Sequence, residues 1–243
     1  MTLARPSSTF LAVARRLSSK PENVKRRKAR RHENLLEFEQ EHWAAGRVVA
    51  GLDEAGAGPL AGPVTAACVI LDPERLKDLV GVDDSKALSA AQREAHAEAI
   101  RASVRAWAVA EASVEEIDRI NIRQAGLLAM KRALDGVLAQ VDALHHLLVD
   151  ARIVPGTELP QTDLIKGDAR SLSIAAASIL AKVERDAYMV RMAAEYPEYG
   201  FDKHKGYGTA DHLAAIHAHG VTPLHRRTFE PIKTMLSQLR LFD

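Results

Sequence analysis

Residues 48–64, VVAGLDEAGAGPLAGPV, decide the fold. Val48, Val49, Ala50 and Leu52 read as a buried strand, and Gly51, Gly56, Gly58, Pro59, Gly62 and Pro63 break the rest of the stretch into tight turns. The strand delivers two adjacent carboxylates, Asp53 and Glu54, into the glycine-rich segment. Two carboxylates at the end of a buried strand are costly to desolvate unless something cationic meets them. Consecutive strand side chains point to opposite faces, so the pair converges on one ion only where the strand ends or bends, which the glycines permit. Taken alone, Asp-Glu before a loop is ordinarily a solvated pair. The apolar run before it and the backbone-exposing glycines after it favour a site with chemistry.

On the N-terminal side, residues 33–45 read as a helix stopped by Gly46, with Leu35, Leu36, Phe38 and Trp43 available for packing. On the other side, residues 62–71 (GPVTAACVIL) read as a second strand, close enough to pair antiparallel with the first. A polar loop at 81–86 leads to Ser89 and Gln92, a capping box that opens a helix to about Ser103. Residues 105–112 alternate as a third strand, and Ser113 with Glu116 forms a second capping box before a helical region to about Gln140. A fourth strand at 144–149 ends at Asp150, the place where open α/β sheets gather their sites. His145 and His146 lie within that strand and read as structural. A short fifth strand is expected at 163–166, ending in Gly167-Asp168, before a long helix at 171–195 whose face of Ile174, Ala177, Ser178 and Ala181 allows close packing on the sheet. Asp186, mid-helix, reads as a salt-bridging residue. Beyond Pro197 come a glycine-rich segment at 200–208, a helix at 209–219 stopped by Gly220, a basic turn at 225–227 and a last helix.

The expected architecture is an α/β three-layer fold: a five-stranded mixed sheet in a domain at 33–196, followed by a small C-terminal helical appendage at 197–243. No apolar run reaches membrane-spanning length. The single cysteine, Cys68, allows neither a disulfide framework nor a thiolate zinc site, which suits a reducing compartment and a cytoplasmic location. The net charge of +1 conceals an asymmetry, because residues 1–32 hold ten Lys/Arg and one acid. This basic arm has three readings: an incidental solvated extension, ranked first; a sequence-independent phosphate-binding arm; and an organellar transit peptide.

Four acids stand at element ends: Asp53, Glu54, Asp150 and Asp168. Oxygen-only ligands, without cysteine or a neighbouring histidine, favour Mg²⁺ or Mn²⁺ over zinc, and such sites cleave phosphodiesters. Each acid taken singly has a bland account as a helix cap or a surface carboxylate.

The blocks 53–56 (DEAG), 58–64 (GPLAGPV), 84–86 (DSK), 148–150 (LVD), 166–169 (KGDA), 173–182 (SIAAASILAK), 203–209 (KHKGYGT) and 222–227 (TPLHRR), in this order, resemble the ribonuclease HII family, the type 2 ribonuclease H of bacteria, over about residues 33–232. The resemblance implies a ribonuclease H-like fold and a metal-dependent endoribonuclease, a hydrolase that uses Mn²⁺ or Mg²⁺. Its substrates would be RNA–DNA hybrids and duplex DNA containing single ribonucleotides, cut 5′ of the ribonucleotide to leave 3′-hydroxyl and 5′-phosphate. Ribonucleotide removal, RNA primer removal and DNA repair would be its tasks. It implies that Asp53, Glu54, Asp150 and Asp168 are the catalytic and metal-binding quartet. It also implies nucleic-acid contacts from Gly56, Ala57 and Gly58, from Lys86 in its loop, from Tyr207 stacking on a sugar, and from Arg226 together with Lys203, His204, Lys205 and Arg227. Here Ala57 replaces the arginine of the family's Gly-Arg-Gly triplet, which removes a phosphate-holding side chain and lowers the expected junction affinity or specificity. Ala151 stands where bacterial members commonly have glycine. Rival readings are a non-catalytic hybrid-binding module and another metal nuclease of the same fold; a monomer is the default.

Overall fold

Strand β1 (Val49–Ala55) runs through the middle of a five-stranded sheet ordered β3-β2-β1-β4-β5. The structure, a computed structural model, describes residues 30–83 and 85–239, so residues 1–29 of the expected basic arm and Asp84 of the polar loop lie outside the described residues. Strand β2 (Val64–Ile70) pairs antiparallel with β1, and β3 (Ala106–Ala112) antiparallel with β2. Strand β4 (His146–Asp150) lies parallel to β1 on its other side, and β5 (Gln161–Leu164) parallel to β4. The sheet is mixed, as the expected hairpin followed by strand-helix-strand units requires.

Every residue of β2 and the first five of β1 are buried. Strands covered on both faces read as unbroken apolar runs, which is why 62–71 shows no alternation. On one face Leu52, Cys68 and Ile70 pack with Met130 and Leu134 of α3 (Val114–Leu138). On the other, Ala67 and Val69 pack with Ala175, Ala176 and Ile179 of α4 (Leu172–Glu195) and with Ala97 and Ile100 of α2 (Ala90–Ser103). At Gly51 strand and helix touch backbone to backbone: an added Cβ would lie 2.3 Å from the carbonyl carbon of Ser173. The first turn of α4 is thereby fixed over β1, two residues before Asp53.

Both capping boxes form with their reciprocal bonds, Ser89 with Gln92 and Ser113 with Glu116. Helix α3 breaks at Asn121 (φ 67°, ψ 162°), whose Oδ1 accepts the Gln124 N–H at 3.2 Å and caps the second half. The fifth strand is earlier than 163–166. Gln161 and Thr162 pair with Leu147 and Leu148, while Ile165 is 73% exposed and Lys166 turns left-handed. The apolar Leu164-Ile165 pair reads as strand, but the backbone turns away there. Helix α1 (Glu37–Ala44) is shorter than 33–45.

The C-terminal part has its own apolar cluster, in which Met189 of α4 meets Tyr199, Phe201 of α5 (Phe201–His204), Ile216 of α6 (Ala210–His219), Leu224 and Ile232 of α7 (Ile232–Leu239). Leu60 joins that cluster, and the loop after β1 is stitched to it by Leu60 N–H to the Gly206 carbonyl (2.8 Å), Gly62 N–H to the Leu224 carbonyl (2.8 Å) and Arg226 N–H to the Leu60 carbonyl (2.9 Å). No helix among the described residues is long and apolar enough to cross a membrane.

Candidate active site

The parallel register of β1 and β4 sets Leu52 opposite Val149, so the next residue on each strand, Asp53 and Asp150, emerges at the same end of the sheet. Glu54 comes next on β1, and Asp168 sits in the 3-10 turn Gly167–Ala169 that leads into α4. Asp53 and Asp168 are each 5% exposed. Asp53 Oδ1 accepts the Glu54 N–H at 2.7 Å, and its carboxylate also accepts from the Ser178 hydroxyl, itself 2.9 Å from Ser85 Oγ. Asp150 Oδ1 accepts the Gly167 N–H at 2.7 Å, tying the end of β4 to the turn that carries Asp168.

The acids repel one another. Burial first, then the charges of Asp150 and Glu54, push the Asp53 carboxyl well above the usual carboxylate range. Asp150 is raised by burial and by Asp168, against the pull of the Gly167 N–H. Glu54 is raised by burial, with Arg152 opposing. Two cations answer part of this charge. Arg152 meets Glu54 at 2.7 Å, and Lys86, whose side chain is 80% exposed, meets Asp168 at 3.2 Å. Glu54 Oε2 is buried without a hydrogen-bond partner. Among the described residues no three such groups converge on one point close enough to hold an ion. Each acid has a partner outside the group: Arg152 on Glu54, Lys86 on Asp168, the Gly167 N–H on Asp150 and the Ser178 hydroxyl on Asp53. The donor set itself, four carboxylates of which Asp53, Glu54 and Asp150 are pushed up by burial, with an orphaned oxygen on Glu54, fits a hard divalent cation.

Beside the acids runs the glycine loop. Gly56 (φ +91°) is buried, and a Cβ there would strike the Arg185 side chain at 2.0 Å. Ala57 is partly exposed and Gly58 exposed, with the Tyr207 ring next to Gly58. Tyr207 is 45% exposed, and the Lys182 ammonium lies 5.8 Å from its ring centroid. Past Tyr207 a groove of about 770 Å³ opens between α2, α4 and α5, lined by Arg93, Lys182, Arg191, Lys203 and Lys205 against the acids Glu94 and Asp186. Asp186 pairs with Lys182 at 2.7 Å, as a salt-bridging residue should.

One expected contact is corrected. Arg226 is fully buried, and its guanidinium donates to the carbonyls of Gly62 (2.9 Å), Ala57 (3.0 Å), Gly56 (2.6 Å) and Pro63 (3.2 Å). These four bonds all go to the loop's own backbone, so it supports that loop from behind rather than meeting a phosphate. Arg227 is exposed. His204 is also engaged, its Nε2 bonded to the Tyr199 carbonyl at 2.8 Å. His145 and His146 are structural, bonded to the Val48 N–H (3.0 Å) and the Thr162 hydroxyl (2.8 Å).

Sequence reasoning passes over three residues. Arg185 donates to the carbonyls of Pro63, Ala61 and Lys205. Its spacing is a usable signal, since it continues the inward face of Ser178 and Ala181 by four more residues. Arg152 comes after Ala151, which holds φ +50°. Glu39, fully buried, accepts from Ser171 Oγ (2.5 Å), Ser173 Oγ (2.7 Å) and Ser173 N–H (2.9 Å), capping α4 from α1. No local pattern announces Glu39 or Arg152, because both act on distant segments.

The family model described as Ribonuclease HII matches residues 50–232. Ribonuclease HII of Myxococcus xanthus is 52% identical over 96% of this chain and 78% of its own length. That of Dechloromonas aromatica is 55% identical over 79% of this chain and 95% of its own. Among solved structures, ribonuclease H2 of Pyrococcus horikoshii superposes with a TM-score of 0.65 at 26% identity, covering 79% of this chain and 99% of that one.

Proposed function

The chain belongs to the ribonuclease HII family and is an endoribonuclease of RNA–DNA hybrids, and we propose that it also cuts duplex DNA 5′ of a single embedded ribonucleotide, leaving 3′-hydroxyl and 5′-phosphate. The observation that carries this reading is the meeting of Asp53, Asp150 and Glu54 at one sheet end with Asp168 on the turn beside them. We assign to these four the holding of divalent cations, Mg²⁺ or Mn²⁺. Such ions, when bound, supply an activated water and stabilise charge on the leaving 3′ oxygen. The residues do the rest. Gly167 N–H orients Asp150, Ser178 and the Glu54 N–H orient Asp53, and Arg152 restrains Glu54.

Substrate selection falls to the loop at 56–58 and to Tyr207. Backbone groups at Gly56 to Gly58 offer close approach to a 2′-hydroxyl, the group that separates RNA from DNA. Tyr207, exposed beside Gly58, offers a ring for the adjoining sugar. The cationic groove beyond it suits a duplex backbone, with Lys203, Lys205 and Arg191 as sequence-independent phosphate contacts. With this arrangement the C-terminal part expected at 197–243, helical over much of its described length to 239, serves as a substrate-binding appendage to a catalytic domain at 33–196. Removal of ribonucleotides from DNA in the cytoplasm by a monomer accords with this reading.

The test is cleavage of a DNA duplex with one ribonucleotide beside a continuous hybrid, in Mg²⁺ and in Mn²⁺, with Asp53→Asn as control. A cut 5′ of the ribonucleotide that the control loses supports the reading. Cleavage of the continuous hybrid alone restricts the enzyme to hybrids, an effect then assigned to Ala57. Binding without cleavage of either substrate overturns the assignment of the acids.

A further inference from the structure

The chain around Tyr207 is held by histidines whose hydrogen bonds have a forced direction. His225, 1% exposed, accepts the Thr222 backbone N–H on Nδ1 at 2.9 Å, so its own ring proton sits on Nε2. That Nε2–H donates across 3.1 Å to His212 Nε2, which must therefore be bare. His212, fully buried, then carries its proton on Nδ1 and donates it to the Tyr207 carbonyl at 2.9 Å. A third ring repeats the pattern: His204 Nδ1 accepts the Gly206 N–H at 3.2 Å, and His204 stacks on His212 with centroids 4.4 Å apart. Burial holds both relay rings neutral, pushing His212 below its ordinary value and His225 down to about 4. Gly206 leaves the chain no slack, since a Cβ there would lie 2.5 Å from the Ala61 carbonyl oxygen.

We propose that His225 and His212 are positioning residues for the substrate-reading ring: a directional imidazole relay from the Thr222 N–H to the Tyr207 carbonyl sets where Tyr207 stands beside Gly58. The relay governs recognition of the ribonucleotide, not the chemical step, and rests on the proposed contact of Tyr207 with the substrate. A buried pair of neutral imidazoles with one permitted tautomer each gives this position a fixed hydrogen-bond polarity.

The experiment compares wild type, His212→Phe, His212→Asn and Tyr207→Ala on the single-ribonucleotide duplex. Cleavage by wild type is the check on the parent reading; its absence would sink that reading and leave the relay to the spectroscopic arm. His212→Phe removes the donor and is expected to raise KM about tenfold with kcat within about twofold. His212→Asn, which keeps a donor near the Nδ1 position, is expected to recover most of the loss. In a Tyr207→Ala background the His212→Phe effect should vanish, because it acts through that ring. A fall in kcat at constant KM, or additive effects in the double variant, overturns the proposal. Should His212→Phe not fold, ¹⁵N spectra of the wild-type histidines decide: Nδ1-protonated His212 with Nε2-protonated His225 at pH 7 supports the relay, and any other pair of tautomers refutes it.

Discussion

Two clusters of buried charge lie on either side of the glycine loop, and they are treated in opposite ways. Arg226 and Arg185, behind the loop, spend their guanidinium donors on seven backbone carbonyl contacts between them. Burial and the neighbouring Arg185 bring Arg226 down to about 9, so it still carries its proton at neutral pH. The acids in front of the loop are left short: Glu54 Oε2 has no partner, Asp150 presses on Asp53, and Asp168 presses on Asp150. The arginines are answered by backbone and act as scaffold, whereas several acids crowded together with one oxygen unanswered leave room for a cation. The two classes of residue look alike in sequence, as single charged letters within motif blocks, and only their partners tell them apart.

The contrast can be broken most directly at Arg226. Arg226→Met keeps much of the volume but strands four carbonyls, and unfolding free energy should fall by about 3 kcal/mol or more, at about 1–3 kcal/mol for each orphaned buried group that finds no water. Urea denaturation measures it; a loss below about 1 kcal/mol would remove the scaffold role. Asp53→Asn should behave in the reverse sense. Hybrid cleavage should drop by more than about a hundredfold, while in the presence of a chelator the thermal midpoint should rise by about 2–4 °C, the equivalent of about 1 kcal/mol of relieved repulsion. A lowered midpoint would mean that the acids are not in conflict.

Acid titration probes a third buried group, next to the arginine side of the loop. His225 faces His212, Tyr199 and Phe201 and accepts from Thr222, with Arg226 next in the chain. Its folded-state value, about 4, lies below the ordinary 6.5, so the unfolded chain binds the extra proton first. Stability from this group is complete above about pH 6.5 and is lost as pH falls toward 4. His225→Gln should flatten that part of the stability profile, as measured by chemical denaturation at fixed pH steps. The smallest effect belongs to Ala151, a residue with a Cβ at φ +50°. Ala151→Gly should stabilise by about 0.5–1 kcal/mol, a gain that calorimetry can resolve; a loss would mean that Arg152 depends on the alanine to reach Glu54.

Much of this is legible from residues alone. The apolar run into Asp53-Glu54, the strand ending at Asp150, and both capping boxes carry local signals, because each depends on neighbours within a few positions. Where the sequence misleads, a distant partner decides. Gln161 and Thr162 are strand because β4 offers them a ladder, and Arg226 is buried because the carbonyls of Gly56 and Gly62 lie above it. Glu39 belongs to a helix whose exposed residues give no hint that one acid turns inward to cap α4. A charged letter in a basic turn reads as solvent-facing unless something identifies its acceptors, and backbone carbonyls leave no mark in a sequence.

The bonds from Arg226 to the loop span 163 to 170 positions of chain. During synthesis, the loop after the first acids is made early and stays unfinished until the residues near 226 leave the ribosome. A chain broken off before that point keeps Asp53 and Glu54 but lacks the side chain that braces the backbone beside them. The backbone of that loop is therefore completed by a side chain made only after the whole sheet, so the first strand's loop is among the last parts of the fold to close.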